Sequence, residues 1–473
     1  MAQIRDGGTP SGTQTRALPE APPLAKMVGP GVITVGIGMA AGEFILWPYA
    51  TMNYGLSLLW LAVVTLGVQF VINMEIERYT LATGETAVQG FTHFWKPWGL
   101  LICLAGLFQY AFPGWATSAA AVTSILTGGD PKWIAVGSLI VIGLLLTTSP
   151  VIYTLVERVE FFKVGATLVF LVVVLTSVIT AATWGEAATS VVTDFGRLPD
   201  GIAITLVLSL LGAAGAGGVH NLVISNWVRD KGYAMGAHVP RLTSALTGHE
   251  EAASARAFAF PQDEENLARW RTWWRRANTE HFVSFFVICL VTITIMSMLA
   301  YETIFGRALG EAADAVFLES QGEVLGSLVG EWFRVFFFVV CSISLYAAAL
   351  GLLDVIGRLV TDVLRTNYLT DSTTWTESRL YFLVVWAEIA LGCLILSVGL
   401  TQPLVLLTIS TCAASVVTFF YSGLLIKLNR SDRLPTALRL RGWRLAAMIF
   451  AGLFYGFFAT LLVISTVRAN FFS

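Results

Sequence analysis

Charge is scarce in this chain. Only 13% of its 473 residues are Asp, Glu, Lys or Arg, about half the ~25% of an ordinary soluble domain. Apolar residues make up 56% and recur in long runs along almost the whole length, which excludes one large soluble core. Each run approaches or exceeds the roughly 20 residues that cross about 30 Å of hydrocarbon. Alternating apolar and polar residues over ~10-residue segments are missing, which excludes an outer-membrane barrel. The runs must then be helices, whose backbone groups are satisfied within the segment. A net charge of −2 gives no footing for nucleic acid. The five cysteines (Cys103, Cys289, Cys341, Cys393, Cys412) lie in apolar segments without paired spacing. They read as small buried hydrophobes rather than as disulfide or zinc positions. The first 25 residues have no apolar core and are not a cleavable signal; they read as a disordered cytoplasmic tail. No His-Glu-x-x-His, Gly-x-Ser-x-Gly or P-loop pattern is present, and His249-Glu250-Glu251 has no second histidine at the required spacing. The chain does not read as an enzyme.

What is present is about eleven apolar spans, near 27–53, 56–80, 98–126, 133–152, 160–183, 201–227, 279–304, 332–360, 379–399, 403–427 and 443–467. They form a single transmembrane domain over 26–467. A charged knot, Glu157-Arg158-Val159-Glu160, separates spans four and five. Lys and Arg concentrate in the tail (Arg5, Arg16, Lys26), in a 230–277 loop after span six, and after span ten. The positive-inside rule then puts the N-terminus in the cytoplasm and the chain in the cell's inner (plasma) membrane. Within the loop, Arg269-Trp270-Arg271-Thr272-Trp273-Trp274-Arg275-Arg276 has the makeup of an interfacial segment or of an ordinary basic flank with a Trp belt.

Two spans are not smooth. Span one contains Gly36-Ile37-Gly38-Met39-Ala40-Ala41-Gly42-Glu43. Span six contains Gly212-Ala213-Ala214-Gly215-Ala216-Gly217-Gly218-Val219-His220-Asn221. Glycine costs a helix roughly 1 kcal/mol relative to alanine, so such clusters mark unwinding or close backbone approach. The two breaks lie five spans apart, each in the first helix of a five-span unit. This predicts an inverted repeat of five plus five helices, about 27–183 and 201–427, with an extra helix at 443–467 and a midplane site at the breaks. Small-residue packing is the alternative use for such glycines. Ionisable groups at this depth usually face a functional cavity. Glu43 is one such group, although it can instead cap the new helix start. His220 and Asn221 follow the second break.

At these residues the chain resembles the Nramp (natural resistance-associated macrophage protein) family of proton-coupled divalent-metal transporters, which share the LeuT-type fold of the APC superfamily. Gly29-Pro30-Gly31, the Gly42 break, Leu81-Ala82-Thr83-Gly84 and Leu211-Gly212-Ala213 leading to His220-Asn221 carry the similarity. The departures are specific. The family's Asp-Pro-Gly-Asn falls on Ala40-Ala41-Gly42-Glu43, so the metal-binding aspartate is alanine and the asparagine is glutamate. Its Met-Pro-His falls on Gly218-Val219-His220, so the thioether is gone and the histidine stays. Span three has no acidic residue between Leu101 and Leu126, where the family relays protons.

Losing the aspartate and the thioether removes the ligands that suit Mn²⁺ or Fe²⁺. What remains is backbone at two helix starts, a construction that suits an anion. Gly38, Ala40, Ala41, Gly42, Gly215, Gly217, Gly218, His220 and Asn221 are the expected substrate residues, and bicarbonate is the expected cargo. Nitrate, formate and acetate are related candidates. Glu43 is expected in the coupling role, as a proton carrier or as a ligand of Na⁺ with Ser342 and Ser344 of span eight. That Na⁺ position is what the LeuT-type resemblance implies. The alternative cargo is a hard divalent ion, Mg²⁺ or Mn²⁺, partly hydrated and leaning on Glu43. No cofactor is expected beyond a possible coupling Na⁺, and the partners are the ion and the bilayer, with the monomer as the working unit. Gln109, Tyr110, Asp354, Arg358 and Glu388 are further intramembrane polar residues able to line a pathway.

Overall fold

The computed structural model describes residues 14–149, 151–239, 257–307, 316–370 and 372–471. Ten helices within these residues are long and apolar enough to cross a membrane: Pro30–Tyr54, Leu59–Thr83, Trp98–Thr127, Pro131–Thr148, Ile152–Ser177, Glu264–Thr303, Glu331–Asn367, Glu377–Ser397, Pro403–Arg430 and Trp443–Arg468. Two shorter helices, Ile204–Ala213 and Val219–Asp230, together make one further span in the sixth position. The chain is an all-α, multi-pass membrane protein. The spans are numbered here one to eleven in chain order.

Burial separates centre from rim. Of the most apolar stretch of span one, 94% of the residues are buried, against 22% for span eleven. A helix apolar all round that is also buried all round belongs inside a bundle. The outermost helix presents Leu453, Phe457 and Val463 outward, as lipid contact demands.

The boundary between spans four and five differs from the sequence expectation. Span four ends at Thr148, and span five begins at Ile152. The charged knot at 157–160 is therefore inside span five. Its two carboxylates have cationic neighbours, Glu157 bonding Lys231 at 2.6 Å and Glu160 lying 3.6 Å from Lys163, while Arg158 is exposed.

Residues 1–13 and 240–256, including His249-Glu250-Glu251, lie outside the described residues. From Gln14 onward the expected disordered tail is instead docked. Gln14–Thr15 pairs in parallel with Phe258–Ala259. The segment then runs along the basic, aromatic stretch, which is no separate surface helix but the first turns of span seven. Leu18 is fully buried, and its N–H donates to Asn266 Oδ1 at 2.9 Å. Arg269 donates to Leu18 O at 3.0 Å, Trp273 to Pro19 O at 2.7 Å, and Arg276 to the carbonyls of Ala21 and Pro22 at 2.6 Å. The backbone of an extended strap needs such donors, since it has no helix partners of its own. The 230–277 loop is correspondingly shorter, because Glu264–His281 is helical.

Buried ion pairs tie the end of the bundle that holds this strap. Arg358 bonds Asp354 at 2.7 Å and also bonds Asp230, while Asp354 accepts from Tyr381 at 2.8 Å. Arg229 reaches Asp362 at 2.8 Å. Buried Glu75 and Arg78 form a 2.6 Å pair, with Arg444 3.2 Å from Glu75.

Truncating the strap's anchor tests its weight. Leu18→Ala should cost about 2 to 5 kcal/mol, the range for a buried leucine, and lower the thermal unfolding midpoint of the detergent-solubilised protein. An unchanged midpoint would show that the strap adds nothing to stability.

Candidate functional site

Both glycine-rich stretches are breaks. In span one, the first half-helix Pro30–Gly38 stops at Met39, whose ψ of 73° leaves the helical region. The Ala40 N–H turns back to Gly38 O at 2.8 Å and to Glu43 Oε2 at 3.0 Å. The chain resumes in a widened π turn, Gly42–Leu46, and continues as Trp47–Tyr54. Pro48 has no N–H to give the preceding turn, which favours such widening.

In span six, Ile204–Ala213 ends and Val219–Asp230 begins. Gly215 at φ +76° and Gly218 at φ +65° make the reversal. Side chains bearing a Cβ rarely adopt that region. Two glutamines replace the lost helical partners. Gln69 of span two accepts from Ala216 N–H at 3.1 Å and donates to Leu211 O at 3.1 Å. Gln109 of span three accepts from Val219 N–H and donates to Gly217 O, both at 3.2 Å. Thr418 of span ten accepts from Gly218 N–H at 3.0 Å.

The two breaks touch. A Cβ on Gly38 would run into the Gly215 carbonyl, and one on Gly42 into the Ala213 carbonyl. Beside this contact lies a small cavity of about 20 Å³, room for about one water. Gly38, Gly42, Gly215, Gly217 and His220 line it, with Gln109, Tyr110 and Trp115 of span three closing another wall. His220 Nε2 is buried and has no partner among the described residues; its ring stands edge-on to Trp227. A second cavity of about 40 Å³ shares Tyr110, Trp115 and Leu352 with the first. Glu388 lines it, and its Oε1 has no partner among the described residues.

The other expected site residues stand behind this wall. Ala40 and Ala41 pack with Phe44, Phe338 and Met296 in an apolar cluster. Gly218 forms the reversal itself. Asn221 donates to the Tyr421 hydroxyl at 3.0 Å. Glu43 is fully buried, with Oε2 capping Ala40 N–H and Oε1 without a partner among the described residues. Ser342 accepts from Thr123 at 3.2 Å, and Ser344 shares a hydrogen with Thr167 of span five at 3.3 Å. Two contributors escaped the sequence reading. Lys163 of span five donates its ammonium to Gly36 O, and Gln69 holds the second break. The signal for each was a lone polar side chain in an apolar span, which spacing alone does not rank.

The sequence matches the family described as natural resistance-associated macrophage protein-like over residues 31–465. The chain belongs to the Nramp family. Solved structures similar to it include a mutant of the Eremococcus coleocola manganese transporter, 11% identical, covering 98% of this chain and 92% of that one with a TM-score of 0.69. The same transporter in complex with an aromatic bis-isothiourea compound is 13% identical, with 98% and 92% covered and a TM-score of 0.68. Mhp1, a nucleobase-cation-symport-1 transporter with bromovinylhydantoin bound, is 13% identical, with 98% and 97% covered and a TM-score of 0.53. No curated protein matches the sequence significantly. The fold is thus that of an Nramp transporter, of LeuT type. Of the positions on which the family's metal motifs fall in this Nramp chain, Ala40, Glu43, Gly218 and His220, only His220 lines the cavity. The described residues hold no group of three or more His, Cys, Asp or Glu able to grip a metal ion.

Gln109→Leu removes both partners at the second break and leaves a buried donor and acceptor unpaired. Each costs about 1 to 3 kcal/mol, so the unfolding midpoint should fall well below that of the wild type. A wild-type midpoint would show that the break does not depend on Gln109.

Proposed function

We propose that this Nramp-family chain is a secondary active transporter of a small inorganic anion, bicarbonate first, coupled to Na⁺ or H⁺ and working by alternating access. The carrying observation is the cavity wall: it holds an unpartnered imidazole nitrogen, amide and hydroxyl groups and glycine backbone, but no carboxylate. Glu43 faces Ala40 instead. A divalent cation would find no negative charge there, whereas the start of Val219–Asp230 offers the positive end of a helix dipole. An anion is also spared a repelling aspartate at Ala40.

The cavity is too small for a three-oxygen anion as it stands, so loading requires the halves of spans one and six to part. Binding then biases the equilibrium through different affinity for the open and closed arrangements. The positive-inside pattern supports a cytoplasmic N-terminus in the plasma membrane, and a monomer suffices for the site. A second reading, Mg²⁺ or Mn²⁺, draws on the retained His220 and on the manganese cargo named for the Eremococcus protein.

Purified protein in liposomes separates the two. Labelled bicarbonate should enter saturably, at least tenfold above protein-free vesicles. Labelled Mn²⁺ should stay at background, and His220→Ala should cut the anion flux at least tenfold. Saturable Mn²⁺ uptake without anion flux would reject the anion reading.

Glu43→Gln keeps the side chain's shape and removes its charge. Its flux should no longer respond to the driving ion gradient. An undiminished response would take Glu43 out of the coupling role.

A further inference from the structure

We infer that the Lys163 ammonium is a resident cation at the break of span one, filling the role that a coupling Na⁺ would otherwise play, so that transport needs no Na⁺. The inference rests on the reading that this break borders the substrate site, and it selects between the two coupling ions named above.

Carbonyl accounting leads to it. The last four carbonyls of a helix have no partner within it. In an unbroken helix, Ala40 N–H would bond Gly36 O. Here Ala40 N–H serves Gly38 O and Glu43 Oε2, and Lys163 Nζ donates to Gly36 O in its place. Gly36 lies at the C-terminal end of the half-helix Pro30–Gly38, the negative end of its dipole, where a cation is favoured.

The surroundings are built for that charge. Lys163 and Glu160 are both fully buried and lie 3.6 Å apart, three residues along span five. Glu160 fits because its neighbours are glycines: a Cβ on Gly36 would meet its side chain, and one on Gly351 of span eight would approach its Oε1. Glu43, whose Oε2 takes the Ala40 N–H of the same break, is a second carboxyl group at this junction. Burying an ammonium costs several kcal/mol unless it is paired and hydrogen-bonded, and this one is both.

The serine oxygens expected around Na⁺ are already engaged by hydroxyl groups of neighbouring spans. Thr167, one helical turn beyond Lys163, bonds Ser344, and Ser342 bonds Thr123. Span five therefore brings its own cation and hydroxyl to the junction of spans one and eight.

Two readouts test this, one of them independent of any cargo. At constant ionic strength, the unfolding midpoint of the wild-type protein should be the same in NaCl and in choline chloride. Labelled bicarbonate uptake should likewise be equal, within twofold, in Na⁺ and in choline media. Lys163→Ala should unfold at lower temperature and regain part of that loss as NaCl, but not choline chloride, is raised. A saturable Na⁺-dependent rise in the wild-type midpoint, or a tenfold Na⁺ stimulation of wild-type flux, would overturn the inference. So would a folded Lys163→Ala protein that gains no Na⁺ response. If that variant does not fold, the wild-type comparison decides alone. A Na⁺-independent midpoint with no anion flux would sink the anion reading and leave the Lys163 assignment standing.

Discussion

A peptide N–H or C=O left unpaired in hydrocarbon costs several kcal/mol, and this fold breaks two helices in its interior. The rest of the bundle is arranged around that debt of hydrogen bonds. Gln69, Gln109 and Thr418 converge from spans two, three and ten on the second break. Glu43 and Lys163 converge on the first. The supply is asymmetric. Neutral amides and a hydroxyl hold span six, whereas charged groups hold span one. At span six the groups shared by the glutamines and Thr418 are the N–H of residues 216, 218 and 219 and the carbonyls of Leu211 and Gly217. At span one the groups are the C-terminal Gly36 carbonyl and, four residues on, the Ala40 N–H, which Lys163 and Glu43 satisfy together.

The same arrangement decides what the cavity is made of. Oε2 of Glu43 caps the backbone of its own break at Ala40 while Oε1 has no partner among the described residues, and the carboxylate does not line the cavity. Ala40 itself packs into an apolar cluster, where an aspartate would need desolvation without a partner. The packing around Ala40 is apolar, and His220 and Tyr110 are the titratable side chains in the cavity wall.

Much of this was legible in the sequence. Span number, the two breaks and the glycines Gly38, Gly42, Gly215 and Gly217 follow from run length and from the helix cost of clustered glycine. Helix periodicity, however, reports which face is apolar and says nothing about who answers a freed carbonyl. Glu160 therefore looked like part of a charged knot between spans and Lys163 drew no reading, while in the structure both sit fully buried inside span five. The docked strap from Gln14 to Met27 was hidden for a similar reason. Its Pro-rich composition matches disorder, but its carbonyls find Arg269, Trp273 and Arg276 on span seven, a match between segments some 250 residues apart.

The closeness of the two breaks also bears on selectivity. Gly38 against the Gly215 carbonyl and Gly42 against the Ala213 carbonyl are backbone-to-backbone contacts, and backbone yields far less readily than the end of a side chain. A cargo that enters must therefore move whole half-helices, and only a ligand that gains more from the opened arrangement than from the closed one can hold them apart. On the proposed reading, a small ion able to make several hydrogen bonds would meet that condition through His220, whose Nε2 has no partner among the described residues. A large apolar molecule does not, because opening the contact would expose the very peptide groups that Gln69 and Gln109 are there to cover. The partners of the breaks thus set the stability of the closed form and, on the proposed reading, would set the kind of solute worth opening for.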